Sequence, residues 1–208
     1  MNNAGPAQRK TRIQREKTEA ILSAALDVFS NQGFRGATVD QIAAAAGISK
    51  PNLLYYFESK EAIHKTLLAR LLDAWLDPLR GLDADGDGPT EIAGYIRRKL
   101  EMSRDFPRES RLFANEILQG APHITSEITG PLKELVDEKT EVIRSWIRSG
   151  QIADVDPYHL IFSIWATTQH YADFDAQVKA VLGHNDEQTL EDAASFLTGL
   201  YTRGLTPR

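Results

Sequence analysis

The sequence contains no cysteine, and that absence alone excludes a disulfide scaffold, a thiolate zinc or iron–sulfur site and a cysteine nucleophile. A thiol-free chain suits a reducing compartment, so the expectation is a cytoplasmic protein. No apolar run approaches the roughly 18 residues that a membrane-spanning helix needs, because charged residues interrupt each one; no membrane partner is expected. The opening MNNAGPAQRKTRIQREK lacks the apolar core of an export signal. There is no G-x-S-x-G elbow, no phosphate-cradling glycine loop and no H-E-x-x-H pair, which predicts that the chain is not an enzyme. Convincing strand patterns, internal repeats and low-complexity stretches are missing as well.

What the chain does have is 42% hydrophobic residues over 208 positions, ample for a packed core in one or two domains. Its net charge of −5, taken whole, argues against a polyanionic partner. The charge is unevenly spread, however. Residues 1–70 hold ten cations and six anions, net +4, which leaves −9 for the remainder. That asymmetry predicts two parts with different partners.

Helical periodicity runs through the whole sequence. Apolar residues at three- and four-residue spacing over 17–32 (Ile21, Ala24, Ala25, Val28, Phe29) predict an amphipathic helix that Gly33 ends. The stretch GFRGATVDQIAAAAGISKPNLLYYFESK follows. Thr38 suits the N-cap of a short helix Val39–Ala46, Gly47 closes it, and Ser49 can cap the next, which begins Lys50-Pro51-Asn52 and runs into Tyr55-Tyr56-Phe57. Two short helices about a glycine turn form a helix-turn-helix pattern. Further helices fit from Ser59-Lys60-Glu61 to Gly81, over Thr90–Asp105, from Pro107 to Gly120, in pieces over Ile124–Ser149 around Gly130-Pro131, over Tyr158–Phe174 and over Glu187–Gly204. The fold class is all-α.

In a helix-turn-helix the second helix enters the major groove, its first residues reaching base edges while neighbouring groups hold phosphates. Lys50 can donate to guanine acceptors and Asn52 can pair bidentately with adenine. Thr38, Tyr55, Tyr56 and Lys60 are placed as phosphate clamps, with Ser49 and Pro51 completing the face expected against double-stranded DNA. Phe57 and one of the tyrosines belong to the core, since three exposed aromatics in a row would be costly. From the basic arm to Lys60 the sequence resembles the DNA-binding domain of TetR-family transcriptional regulators. The resemblance implies a basic flexible arm over residues 1–16, a three-helix DNA-binding domain over 17–62 and a helical ligand-binding and dimerisation domain over 63–208. It also implies a homodimer, paired through the last two long helices, that reads a palindromic operator.

Within the Tyr158–Phe174 helix, Ile161, Trp165, Gln169 and Asp173 recur every four residues on or near one face. Two readings fit. Either Trp165 is core and Gln169 bonds backbone or the dimer mate, or the Gln169 amide reads a small planar ligand that Trp165 covers. The segments KLEMSRDFPRESRLFANEILQGAP, LKELVDEKT and DPYHLIFSIWATTQHYADF resemble those of a pyrimidine-responsive repressor within that family. This implies an effector such as uracil or thymine rather than a cofactor, with Trp75, Trp165 and Gln169 in the pocket and Lys99, Ser103, His170, Tyr171 and Asp173 around it. A different small ligand, or a divalent metal, remains the alternative input.

Two further patterns suggest metals. Asp83 to Gly88 copies the first half of an EF-hand loop but has Gly94 where the bidentate glutamate belongs, which argues against calcium. His170 and Asp173 could be joined by His123 or Glu116 around a metal, although His170 fits equally well as a pocket donor. The expected metal set is therefore none.

Overall fold

The structure is a computed structural model that describes residues 6–184 and 186–207; residues 1–5 of the expected arm lie outside it. All regular structure among the described residues is helical. The first helix, α1, spans Pro6–Gly36. It therefore takes in residues 6–16, where the sequence suggested a flexible arm. Gln, Arg, Lys and Glu there are strong helix formers, and Arg12 pairs with Glu16 one turn later at 2.8 Å. Gly33 breaks the helical path where the cap was expected (φ 68°, ψ 170°), and one further turn carries Phe34.

The helices α2 (Val39–Ala45) and α3 (Lys50–Tyr56) follow, each set by its cap. Thr38 Oγ1 accepts from Gln41 N at 3.2 Å while Gln41 Oε1 accepts from Thr38 N at 2.8 Å, a reciprocal capping box. Ser49 and then Ser59 cap α3 and α4 (Lys60–Arg80) by accepting the amides of Asn52 and Ala62. The C-terminal half, where the sequence suggested a sensor, is built from α5 (Gly88–Asp105), α6 (Pro107–Leu118), the single turn α7 (Thr125–Glu127), α8 (Lys133–Arg148), α9 (Pro157–Asp173), α10 (Asp175–Leu182) and α11 (Glu187–Gly204). A π-helical turn at Ile128–Leu132 absorbs Gly130-Pro131 between α7 and α8. The sequence reading left α10 out: it has eight residues and buries only Val178, too short a stripe for a periodic signal.

Two apolar cores result. The first gathers Ile21, Ala25 and Phe29 of α1, Ile42 of α2, Leu53 of α3 and Ile63 and Leu68 of α4, and it is closed by Leu112, Ala121 and Ile124 from the sensor half. The second packs Tyr95, Ile96 and Leu100 of α5 against Ile143 and Trp146 of α8, Ile161 and Ile164 of α9 and Leu197 of α11. Asp87 caps α5 by accepting from Thr90 N, and Asp83 Oδ1 accepts from Asp85 N, so two of the EF-hand-like carboxylates serve the backbone.

Two lysines have unusual placements. Lys60 Nζ donates to the carbonyls of Phe34 (2.7 Å) and Ala37 (2.8 Å) and sits 4.4 Å from the Phe34 ring centroid, which ties α4 to the end of α1. That leaves one of its three N–H donors for a phosphate. Lys99 is buried on α5 with its Nζ 4.2 Å from the centre of the Trp75 ring. Burial lowers its pKa from 10.5 to about 7 against the smaller opposing pull of Asp173.

Replacing Lys60 with Met should orphan both carbonyls and lower the unfolding free energy in urea by about 1–3 kcal/mol. For Lys99 the sign follows from its depressed value. Between about pH 7 and 10.5 the unfolded chain holds a proton that the folded chain does not, so stability rises with pH. Relative to Lys99→Met, the native protein should gain on the order of 4 kcal/mol between pH 7 and pH 10, read from paired urea titrations.

Candidate functional site

The surface expected to meet DNA is the exposed face of α3. Lys50, Pro51, Asn52 and Tyr55 all face solvent, Tyr55 with 71% of its surface free, while Leu53 is fully buried beneath them. Lys50 Nζ bonds Asp40 Oδ2 of α2 at 2.9 Å, so its ammonium is already oriented beside the helix start. Tyr56 is half-buried against the first core and meets Tyr55 edge-on at 5.2 Å; Phe57 is core. One tyrosine and the phenylalanine are thus structural and one tyrosine is free, as the cost of exposing three aromatics requires. Thr38 and Ser49 are exposed, and their hydroxyls are engaged in capping.

In the sensor half, a cavity of about 530 Å³ opens between α6, the π turn and α9. Trp165, Gln169 and Asp173 of α9 line it, facing Phe113, Asn115 and Ile117 of α6 and Ile128 and Leu132 of the π turn. The three α9 positions share this wall because they lie one turn apart, whereas Ile161, one turn earlier, is buried in the second core. Trp165 Nε1 donates to the buried Tyr95 hydroxyl at 2.6 Å, which fixes the indole. Burial raises the Asp173 pKa against the opposing effects of the Ser110 hydroxyl, which donates to it, Lys99 and Arg111. Gln169 hydrogen-bonds no other residue among those described, leaving its amide to the cavity.

The other expected pocket residues are not among those lining this cavity. Trp75 of α4 and Lys99 of α5 form a buried stack, with Lys99 near enough to Asp173 for the two to act on each other's charge. Ser103 is also buried, and its hydroxyl donates to Lys99 O and Thr168 O, stapling α5 to α9. His170 points to solvent and stacks on Phe174 at 5.1 Å, and Tyr171 packs against the second core. His170 and Asp173 are not brought to His123 and Glu116; those two meet His64 instead. Sequence reasoning missed Tyr95, Arg111 and the α6 wall. The α6 wall was signalled only by that helix's apolar stripe, which reads the same whether it faces a core or a cavity; nothing local signalled Tyr95 of α5 or Arg111.

Comparison with known proteins follows the same division. The family model described as bacterial regulatory proteins, tetR family, matches residues 21–67. That of the C-terminal region of YcdC-like proteins matches residues 68–208. The HTH-type transcriptional regulator RutR of Escherichia coli K12 is 50% identical over 202 residues, 96% of this chain and 95% of its own. The HTH-type transcriptional repressor NicS of Pseudomonas putida is 26% identical over 212 residues, 95% of this chain and 98% of its own. Among solved structures, the ketosteroid transcriptional regulator KstR2 of Mycobacterium tuberculosis has the same fold (TM-score 0.70, 22% identity, covering 92% of this chain and 95% of that one). So does AibR in complex with isovaleryl coenzyme A and operator DNA (TM-score 0.68, 19% identity, 88% and 97% covered). These relatives are transcriptional regulators rather than enzymes. With one model matching the DNA-reading head, a second the helical remainder, and a full-length relative at half identity, the chain belongs to the TetR family and is a DNA-binding transcriptional regulator.

Proposed function

We propose that the protein is a homodimeric repressor of pyrimidine utilisation that leaves a palindromic operator when uracil or thymine enters the α6–α9 cavity. The observation that carries this reading is the Gln169 amide, which faces a largely apolar cavity with no partner among the described residues and lies one turn from the Trp165 indole. An apolar cavity with a few convergent polar groups is the usual form of a small-ligand site. A pyrimidine base is flat and neutral, and its imide edge alternates acceptor and donor. One carboxamide can read that edge in plane while Trp165 covers the face and the Asp173 carboxyl, one turn further on, meets a second polar edge. The sequence resemblance to a pyrimidine-responsive repressor supports the same ligand.

Release requires that the ligand bind a dimer geometry other than the operator-bound one more tightly, and the linkage is reciprocal: operator must weaken the ligand by the same factor. The dimer is supported by apolar side chains that α9 and α11 leave exposed, with Phe162 at 46%, Phe196 at 61% and Leu200 at 46%. Tyr201 holds the two helices together by hydrogen bonds to Ser163 and Thr167 at 3.1 and 3.2 Å, which presents these groups as one surface.

Two outcomes test this. With an operator selected from random DNA, fluorescence anisotropy should show uracil or thymine weakening binding to the native protein. Gln169→Leu should bind the same DNA unchanged yet lose that response by about tenfold or more, since it leaves a base edge unpaired. Equal responses would refute the assignment. Phe196→Arg should sediment as a monomer at concentrations where the native chain is a dimer, and should lose operator affinity with it.

A further inference from the structure

A second cluster lies outside the cavity, at the joint between the two halves. His64 projects from the first turns of α4, Glu116 from the last turn of α6, and His123 from the link that follows. His64 Nε2 stands 3.2 Å from Glu116 Oε2, and His123 Nδ1 stands 3.1 Å from the same oxygen. The His123 amide also donates to Glu116 Oε1 at 2.7 Å. His64 and Glu116 are almost wholly buried, with side-chain exposures of 2% and 4%, and His123 at 15% forms the rim towards solvent.

We propose that His64, Glu116 and His123 form a binding site for a divalent transition metal of the zinc type. Two imidazoles and one carboxylate are the donor set that such borderline ions favour, with the fourth position left to water. Metal bonds of about 2.0–2.1 Å place tetrahedral ligands about 3.3 Å apart. Two of the three donor separations already match, and the three donor atoms lie within 4.8 Å of one another, so only the His64–His123 edge has to close.

The surroundings fit this use. Nδ1 of His64 has no partner among the described residues, so the tautomer that bares Nε2 to a metal breaks no other hydrogen bond. Its ring orientation is fixed by packing, against Phe29 at 4.8 Å and Phe34 at 4.7 Å. Of the nearby charges, Lys60 opposes a cation from across the Phe34 ring and Glu61 favours one from beside His123. The link returns His123 onto Glu116 through Gly120 (φ 88°) and Ala121 (φ 55°), a left-handed step that alanine seldom takes.

This site is independent of the pyrimidine reading and can be tested on the intact chain. Zn2+ titrated in competition with a chromophoric chelator should bind one equivalent per chain, and Co2+ should give the strong visible absorption of a four-coordinate site. His123→Ala and Glu116→Gln should each weaken binding by at least about tenfold, whereas His159→Ala, an exposed histidine elsewhere, should not. Operator binding without metal serves as the folding control, and the Co2+ spectrum of Glu116→Gln separates a lost ligand from a lost fold. Zn2+ bound alike by all four proteins would place it on surface histidines and overturn the proposal. So would failure of the native chain to bind a full equivalent.

Discussion

The reader head cannot close its own core. Its helices α2 and α3 have seven residues each and bury little beyond Ile42, Ala43 and Leu53. The missing apolar volume comes from the long α1, from the first turns of α4, and from Leu112, Ala121 and Ile124 on the sensor side. Burying Leu112 of α6 and Ile124 beyond it contributes on the order of 1.5–3 kcal/mol each, so the position of α6 is part of the stability of the head. Packed interfaces of this kind respond as units and do not deform freely.

The same helix is one wall of the cavity. Phe113 and Ile117 face Trp165 and Gln169, while Leu112 reaches the reader core and Arg108 pairs with Asp27 of α1. An occupant of the cavity, as proposed, would therefore act on an element whose other face touches the DNA-reading half. The two sites need no longer chain of intermediaries than this one helix and its partners. A coupling of 1–3 kcal/mol, typical of regulated proteins, is small beside the apolar contacts that α6 makes on either side. The His64–Glu116–His123 cluster sits at the end of that helix and holds it to α4.

What was legible in the sequence was what is local in the chain. Thr38, Ser49, Ser59 and Asp156 cap their helices because a side-chain oxygen three residues from an open amide needs no distant help. The α9 wall was legible for the same reason, since Trp165, Gln169 and Asp173 share a face by helical geometry alone. The opposite wall was not: which face of α6 meets a core and which meets a cavity depends on packing between helices far apart in sequence. Lys60 likewise looked like a phosphate ligand, and only the fold shows that Phe34 and Ala37 take two of its donors. His123 and Glu116 could be suspected as metal ligands, but their partner His64 stands 52 residues from Glu116, beyond any spacing rule.

The recognition lysine shows how the charge division bears on DNA. Lys50 and Asp40 are both exposed, so their ion pair is worth little in water, at most about 1 kcal/mol. It nonetheless holds the ammonium beside the start of α3, where base edges would lie. If Lys50 reads a guanine, that base must compete with Asp40, whereas another base leaves the pair as it was. Breaking the pair would then be subtracted from the 1–3 kcal/mol of discrimination that such a contact supplies, a deduction of at most about 1 kcal/mol. The first 70 residues together, arm included, carry net +4 and favour phosphates, while the remainder at net −9 is repelled by them, so the field that draws the protein to DNA also turns its N-terminal end inward.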